Sequence, residues 1–122
     1  MTAAIRSQFE RCRGWLEAAL AVDDEASPDQ LLALLLAGQA QLWPSEGGCV
    51  VTQFVLAPEG PTLHVWCGGG SLADMAALRP GIEAFGRVMG AVWIVGESRR
   101  AWDRLLKPHG YVRDGALLRK AL

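Results

Sequence analysis

Hydrophobic residues recur at helical spacing along the first part of the chain. They follow one another at steps of three or four, which places them on one side of a helix, while charged residues occupy the other side. The apolar residues of this pattern are Ile5, Phe9, Cys12, Leu16 and Leu20. The spacing therefore predicts an amphipathic first helix, which an acidic turn from Asp23 to Glu25 is expected to end.

A second helix is predicted directly after this turn. Ser27, Pro28 and Gln30 supply an N-cap, a proline at the first helical position and the glutamine of a capping box. Leucines follow, and the helix is expected to continue to about Gln41. The two N-terminal helices together are predicted to cover residues 3–41.

The pattern changes from helical to extended after a breaker cluster that runs from Pro44 to Gly48. Residues 49–56 are rich in β-branched and aromatic types, and residues 62–67 repeat that character after a turn of about five residues. The two runs predict an antiparallel hairpin. The three consecutive glycines at 68–70 are expected to end its second strand.

Helices and strands alternate over the rest of the chain. Helical spacing resumes after Ser71, and Pro80 predicts a kink or two abutting helices because it lacks an N–H group. The apolar residues 91–95 predict a buried strand, which the long connection makes parallel to the strand before it. Ser98 is expected to cap a further helix, and an Asp-Gly turn predicts a last hairpin within residues 111–122.

The resulting order, α-α-β-β-α-β-α-β-β, predicts an α/β fold of the α+β type, with a mixed central sheet and helices on both faces. A chain of 122 residues suits one domain, because two separate cores would each be small for stable folding. We expect residues 1–122 to form that domain, with its sheet and remaining helices in residues 49–122.

Composition and charge narrow the classes of partner. A net charge of −1 gives no overall attraction for nucleic acid or for an anionic membrane, and no apolar run approaches the ~20 residues that span a bilayer. The cysteines Cys12, Cys49 and Cys67 form no close pair, and no signal peptide opens the chain, so a reducing cytoplasm is expected. The two histidines lack ligand spacing, so no metal site is predicted.

Two segments resemble the fold of the GNAT acetyltransferases. In LHVWCGGGSLADM, residues 63–75, a strand runs into glycines and then into a helix, as in the GNAT turn that binds the pyrophosphate of coenzyme A. In VWIVGESRRAWDRLLKPHGYV, residues 92–112, a strand, a helix and a Gly-aromatic pair follow in the GNAT order. Together with QLWPSEGG, these segments are similar to the short GNAT-like proteins of tailed phages and prophages. The resemblance implies the cytoplasm of a bacterial host, or association with the virion.

The glycine segment is the candidate cofactor site. The resemblance implies that acetyl-CoA or CoA would bind at Cys67, Gly68, Gly69, Gly70 and Ser71, where backbone N–H groups at a helix start can bind phosphate. Cys67 stands where GNAT proteins carry Arg or Gln, so a side chain that would close over the phosphates is absent. Three glycines also suit a tight turn that binds nothing, and both interpretations remain open.

Candidate catalytic residues are few. The resemblance places Leu106 where GNAT enzymes carry a tyrosine acid, and leucine cannot donate a proton. Glu97, just after a strand, is either a general base or a carboxylate that stabilises a helix start. His109 is either a proton shuttle or a solvated loop residue. Tyr111, the single tyrosine of the chain, is expected to pack as a core ring.

A protein partner is expected to meet Trp43, Trp66 and His64, because tryptophan is enriched at protein interfaces. We therefore expect a non-catalytic GNAT-like protein that contacts a phage or host protein, in virion assembly or in interference with a host factor. Homo-oligomerisation through the C-terminal hairpin is a further expectation, and nucleic acid is not an expected partner. The alternative is an acetyl-CoA-dependent N-acetyltransferase that acts on an amine, with Glu97 or water in place of the tyrosine.

Overall fold

Six strands form one mixed sheet in the computed structural model, which describes residues 2–23 and 26–122. The strands are β1 (Gln41–Pro44), β2 (Gly48–Ala57), β3 (Gly60–Gly70), β4 (Trp93–Glu97), β5 (Val112–Asp114) and β6 (Leu117–Ala121). Their order across the sheet is β1-β2-β3-β4-β6-β5. Strands β3 and β4 run parallel and the other neighbours antiparallel, which confirms the predicted mixed sheet.

Helices cover both faces of this sheet, as the sequence predicts. They are α1 (Thr2–Asp23), α2 (Pro28–Leu36), α3 (Leu72–Ala77), α4 (Arg79–Val88) and α5 (Arg100–Leu106), and a 3₁₀ turn follows at Lys107–His109. Helices α1 and α2 pack on one face, while α4, α5 and residues of α3 pack on the other. The break between α3 and α4 confirms the effect expected of Pro80. The predicted acidic turn at Asp24 and Glu25 lies outside the described residues.

The first core lies between α1, α2 and the strands β2 and β3. Its buried α1 residues include Phe9, Cys12, Leu16 and Leu20, which confirms the predicted apolar side of that helix. Full burial of one such Phe or Leu side chain contributes about 1.5–3 kcal/mol. The capping box of α2 is also present: Ser27 Oγ accepts from Gln30 N at 3.1 Å, and Gln30 Oε1 accepts from Ser27 N at 2.7 Å.

Helix α2 ends at Leu36, so the prediction that it continues to about Gln41 was wrong. Gly38 adopts a left-handed φ of 75°, and the N–H of Gln39 returns to the carbonyl of Leu34 at 2.9 Å. This arrangement is a Schellman motif, which satisfies the last carbonyls of the helix and stops it. The residues that follow form β1, an edge strand that the sequence did not predict.

Both hairpins are present, but their turns differ from the predicted ones. Ala57 pairs with Gly60, so β2 and β3 are joined by a turn of two residues instead of about five. β3 also continues through the glycines that were expected to end it. In the last hairpin Asp114 pairs with Leu117, which shifts the turn by one residue to Gly115 and Ala116.

The second core lies on the opposite face and joins the two halves of the sheet. Its buried residues come from β2, β3, α4, β4, β6 and the segments between them: Val50, Leu63, Ile82, Ala91, Ile94, Tyr111 and Leu118. No helix within the described residues is long and apolar enough to span a bilayer. The same residues contain no group of three or more His, Cys, Asp or Glu side chains that could bind a metal ion.

Candidate functional site

The central feature of the molecule is a cleft between the two parallel strands. β3 and β4 pair only where residues 62–64 of β3 meet residues 93–95 of β4, and a cleft of about 230 Å³ opens beyond that point. Ala19 of α1 borders it from one face of the sheet, and Trp102 of α5 borders it from the other. The cleft therefore passes through the sheet at the place where β3 and β4 separate.

A β-bulge shapes the β3 wall of this cleft. Val51 pairs with Cys67 and Thr52 pairs with Val65, so Trp66 is the extra residue of β3. Val65 consequently packs with the second core, while Trp66 and Cys67 both pack against the first core. A bulge of this kind re-aims side chains and ends regular pairing. Here it coincides with the opening of the cleft.

The candidate interface residues lie on different faces. Trp43 lies on the α4 face, where its Nε1 donates to Thr52 Oγ1 at 2.9 Å and its ring meets Phe85 edge-to-face at 5.4 Å. Trp66 and His64 lie on the α1 face, and the buried Trp66 Nε1 has no hydrogen-bond partner among the described residues. The structure therefore does not bring the three side chains together. Their role at an interface stays a prediction.

The glycine segment is part of the sheet, not of an open turn. Gly68 pairs with Val50, Gly69 with Cys49 and Gly70 with Gly48. A Cβ on Gly69 would lie 2.7 Å from Cβ of Trp15, and Gly70 has a φ of 96° that disfavours a side chain. Close packing of α1 and β2 therefore accounts for these glycines without a ligand.

The helix start beyond the glycines is already capped. Ser71 Oγ accepts from the N–H of Asp74 at 3.3 Å, and the Asp74 carboxylate lies in the first turn of α3. That carboxylate would repel a phosphate at the same helix end. Cys67 borders the cleft, whereas Gly69, Gly70 and Ser71 are not among its lining residues. Cofactor binding by the segment from Cys67 to Ser71 stays a prediction.

The candidate catalytic side chains lie at or outside the mouth of the cleft. Glu97 ends β4 and lines the cleft, where its exposed carboxylate accepts from Arg99 at 3.1 Å. Ser98 does not cap α5 as predicted, because its hydroxyl donates to the Asp103 carboxylate at 2.7 Å and Arg99 occupies the N-cap position. His109 is exposed in the 3₁₀ turn and does not line the cleft.

Comparison with solved structures identifies the architecture. A crystal structure of a GNAT-family acetyltransferase from Listeria monocytogenes 4b F2365 superposes with a TM-score of 0.54 and covers 99% of this chain and 89% of its own, at 11% sequence identity. The chain has a GNAT-like fold. No protein-family model and no curated protein matches the sequence. At this identity the likeness concerns the fold alone.

A buried carboxylate that sequence reasoning missed lies beside the cleft of this GNAT-like fold. Glu83 is 3% exposed and accepts from Tyr111 Oη at 2.7 Å, Lys120 Nζ at 3.0 Å and Arg79 Nη1 at 3.2 Å. Arg87 Nη2 approaches the same carboxylate at 3.8 Å. Burial raises the pKa of Glu83, but these hydrogen bonds outweigh burial and hold the pKa below its ordinary value. Arg79, Glu83 and Arg87 stand at i,i+4 spacing, which could have revealed part of the cluster.

Tyr111 belongs to this group of side chains. We call the group the Glu83 cluster, and its residues are Glu83, Arg79, Arg87, Lys120 and Tyr111. The ring is 7% exposed and packs in the second core, as predicted. Burial, and then the hydrogen bond to Glu83, raise the pKa of Tyr111 well above its ordinary value. The tyrosine of this GNAT-like chain therefore remains protonated, with its hydroxyl proton directed at Glu83.

The three cysteines gather around α1, β2 and β3. Cys12 and Cys49 are fully buried, while Cys67 is half-buried and borders the cleft. Burial, reinforced by the neighbouring Cys12 thiol, raises the pKa of Cys49 to about 12. A thiol with such a pKa does not act as a nucleophile near neutral pH.

Proposed function

We propose that this chain is a non-catalytic GNAT-like protein of phage or prophage type, which acts through contacts with a phage or host protein. The proposal rests mainly on the hydrogen bond that Tyr111, the one tyrosine in the sequence, donates to Glu83. Tyr111 borders the cleft, but its hydroxyl is buried and donates its proton to the Glu83 carboxylate. An amine acetyltransferase needs a group that returns a proton to the leaving thiolate, and Tyr111 does not offer one.

The other side chains of the cleft support the same proposal. Leu106, at the position implied for a catalytic tyrosine, packs against the second core and has no proton to donate. Glu97 is the carboxylate at the mouth of the cleft, and Arg99 neutralises it as an exposed ion pair. A carboxylate held in a solvent-exposed ion pair with a guanidinium is typical of a surface contact.

A surface suited to protein contact lies on the face of β4, β6 and β5 opposite the second core. We call it the open sheet face, and its residues are Trp93, Val95, Val112, Leu117 and Arg119. Among the described residues, no member of the first core comes from these three strands, so α1 and α2 do not cover them. Val112 is 65% exposed and Leu117 46%, and Arg119 stacks 3.9 Å above the Trp93 ring. Exposed apolar residues around a Trp and an Arg are typical of interface centres.

Acetyl transfer is the direct test of the non-catalytic part. The purified protein is incubated with acetyl-CoA and either spermidine or a lysine-containing peptide, and CoA release is measured by chromatography. We expect CoA release no faster than in the protein-free control. Turnover that rises with protein concentration and saturates with the acceptor would overturn the proposal.

Protein contact is tested through the open sheet face. Leu117→Glu places a charge in this face, while Glu46→Lys, at an exposed position between β1 and β2, serves as the control. We expect a partner that co-purifies with the wild type to be lost with Leu117→Glu and retained with Glu46→Lys. Retention with both variants would remove the open sheet face from the proposal.

An acetyl-CoA-dependent N-acetyltransferase is the second candidate, and the separation of β3 and β4 at the Trp66 bulge favours it. A gap between parallel strands leaves backbone groups free to bind a thioester. If acetyl-CoA is present at about 100 times its Kd, it stabilises the fold by ~2.7 kcal/mol, which raises the Tm by several degrees. The absence of any Tm change at millimolar acetyl-CoA would count against this candidate.

A further inference from the structure

The Glu83 cluster carries more positive than negative charge. Three cationic side chains, Arg79, Arg87 and Lys120, lie within 3.8 Å of one carboxylate, so two positive charges remain after Glu83 is counted. The Arg79 and Lys120 side chains are only 22% and 19% exposed, so water screens them incompletely. A partly buried excess of positive charge favours a bound anion.

Arg79 connects this cluster to the cleft. It lines the cleft wall, whereas Arg87 and Lys120 do not. Among the described residues its guanidinium makes one hydrogen bond, from Nη1 to Glu83. A guanidinium has five N–H donors in a planar fork, so Arg79 retains donors for a second acceptor.

The remaining walls of the cleft are largely apolar. They include Val50, Val65, Met75, Ile82, Ile94 and Leu118. The other charged pair at the cleft, Glu97 with Arg99, is internally neutralised. The volume of about 230 Å³ is below the ~300–1,000 Å³ typical of drug-sized pockets, which suits a short chain.

We propose that the cleft binds a short aliphatic carboxylate, with its carboxylate on Arg79 and its chain against the apolar walls. The planar fork of an arginine matches a carboxylate, and a single fork beside Glu83 suits one negative charge better than two. This inference goes beyond the proposed function. Acetyl-CoA turnover would overturn that function and leave carboxylate binding untouched.

Isothermal titration calorimetry with sodium hexanoate tests the proposal. Hexan-1-ol has a chain of the same length without the charge, and inorganic phosphate has charge without the chain. We expect hexanoate to bind at least about tenfold more tightly than either, because a charge-assisted hydrogen bond is lost with the alcohol and the apolar contact is lost with phosphate. The proposal would be overturned if hexan-1-ol or phosphate bound with the same affinity as hexanoate. It would also be overturned if no binding were detected with hexanoate at about 10 mM.

Two arginine variants separate ligand binding from support of Glu83. Arg79 and Arg87 both approach Glu83 at i,i+4 spacing on α4, but only Arg79 lines the cleft. We expect Arg79→Gln to weaken hexanoate binding about tenfold or more, and Arg87→Gln to weaken it clearly less, because Arg87 contributes charge to the cluster but does not line the cleft. Equal affinity in wild type and Arg79→Gln would overturn the assignment. If Arg79→Gln does not fold, Arg79→Lys and the wild-type comparison of hexanoate with hexan-1-ol decide the matter.

Discussion

The hydroxyl of Tyr111 donates a hydrogen bond of 2.7 Å to Oε2 of Glu83, although the two residues are 28 positions apart. The bond ties the segment before β5 to the middle of α4 inside the second core. Tyr111→Phe removes the donor and leaves the ring in place. A hydrogen bond to a charged group contributes about 1.5–3 kcal/mol, so we expect a loss of that order in the free energy of unfolding, measured with urea.

Removal of the Glu83 charge is expected to cost more than removal of the tyrosine hydroxyl. Glu83→Gln leaves Arg79, Arg87 and Lys120 around a neutral group, and the loss of one partner from a buried ion cluster costs about 3–5 kcal/mol. Glu10→Gln is the control, because Glu10 pairs with Arg13 on the exposed side of α1. We expect that control to change stability far less than Glu83→Gln does, because solvent screens an exposed ion pair. A similar small effect at Glu83 would contradict the structural role of the cluster.

The same carboxylate predicts a loss of stability in acid. The folded-state pKa of Glu83 lies below its ordinary value of 4.5, so Glu83 stabilises the fold fully above that value. The contribution declines as the pH falls below about 4.5 and through the lower folded-state pKa. We expect the Tm difference between wild type and Glu83→Gln to be constant from pH 7 to 5 and to narrow below. A gap that widens in acid would contradict this sign.

Gly69 is predicted to tolerate no side chain. A Cβ there would lie 2.7 Å from Cβ and 3.0 Å from the carbonyl oxygen of Trp15, so α1 would have to move away from β3. Overpacking of this kind costs about 1–3 kcal/mol, and we expect Gly69→Ala to lower the free energy of unfolding by that amount. Gly14→Ala on α1 is the control, because nothing lies within 4 Å of the added Cβ. Alanine favours a helix over glycine by about 0.5–1 kcal/mol, so we expect this control not to lower the free energy of unfolding. A variant at Gly69 therefore reports on packing and cannot serve as a test of phosphate binding.

The three thiols are predicted to differ in reactivity. Cys12 and Cys49 are fully buried, and the raised pKa of Cys49 leaves it protonated at pH 8. In a titration with a chromogenic disulfide reagent, we expect Cys67 to react in the folded state and the other two only in urea. Cys67→Ser should remove the reactive thiol, whereas Cys49→Ala should retain it. Rapid reaction of all three thiols in native buffer would contradict the buried arrangement.

The parts of the fold that the sequence predicted are those in which local pattern and burial agree. The apolar side of α1 repeats every three or four residues, and the capping box of α2 is contained within Ser27 to Gln30. β1 was missed because Gln41–Pro44 is too short for a period of two to appear, and the leucines before Gly38 extend the helical pattern. The Schellman motif at Gly38 ends α2. A glycine within a leucine-rich run does not by itself indicate that such a motif will form.

The site was predicted less completely, because its contacts join distant residues. The glycine segment was singled out by its composition. Its glycines are instead explained by close contacts with Trp15 of α1 and by pairing with β2, which lie far away in sequence. The partners of Glu83 include Lys120, 37 positions further on, so no local spacing indicates them. The cleft itself arises where the pairing of β3 with β4 stops. That register is a property of the assembled sheet.

The short parallel ladder between β3 and β4 divides the sheet into two blocks of three strands. Three residue pairs, at Thr62–His64 and Trp93–Val95, hold together a three-stranded block before them in the chain and another after them. Each block keeps its own antiparallel hydrogen bonds if the ladder opens. Because the second core packs side chains of both blocks against one another, those contacts join the blocks across the seam at which the cleft lies.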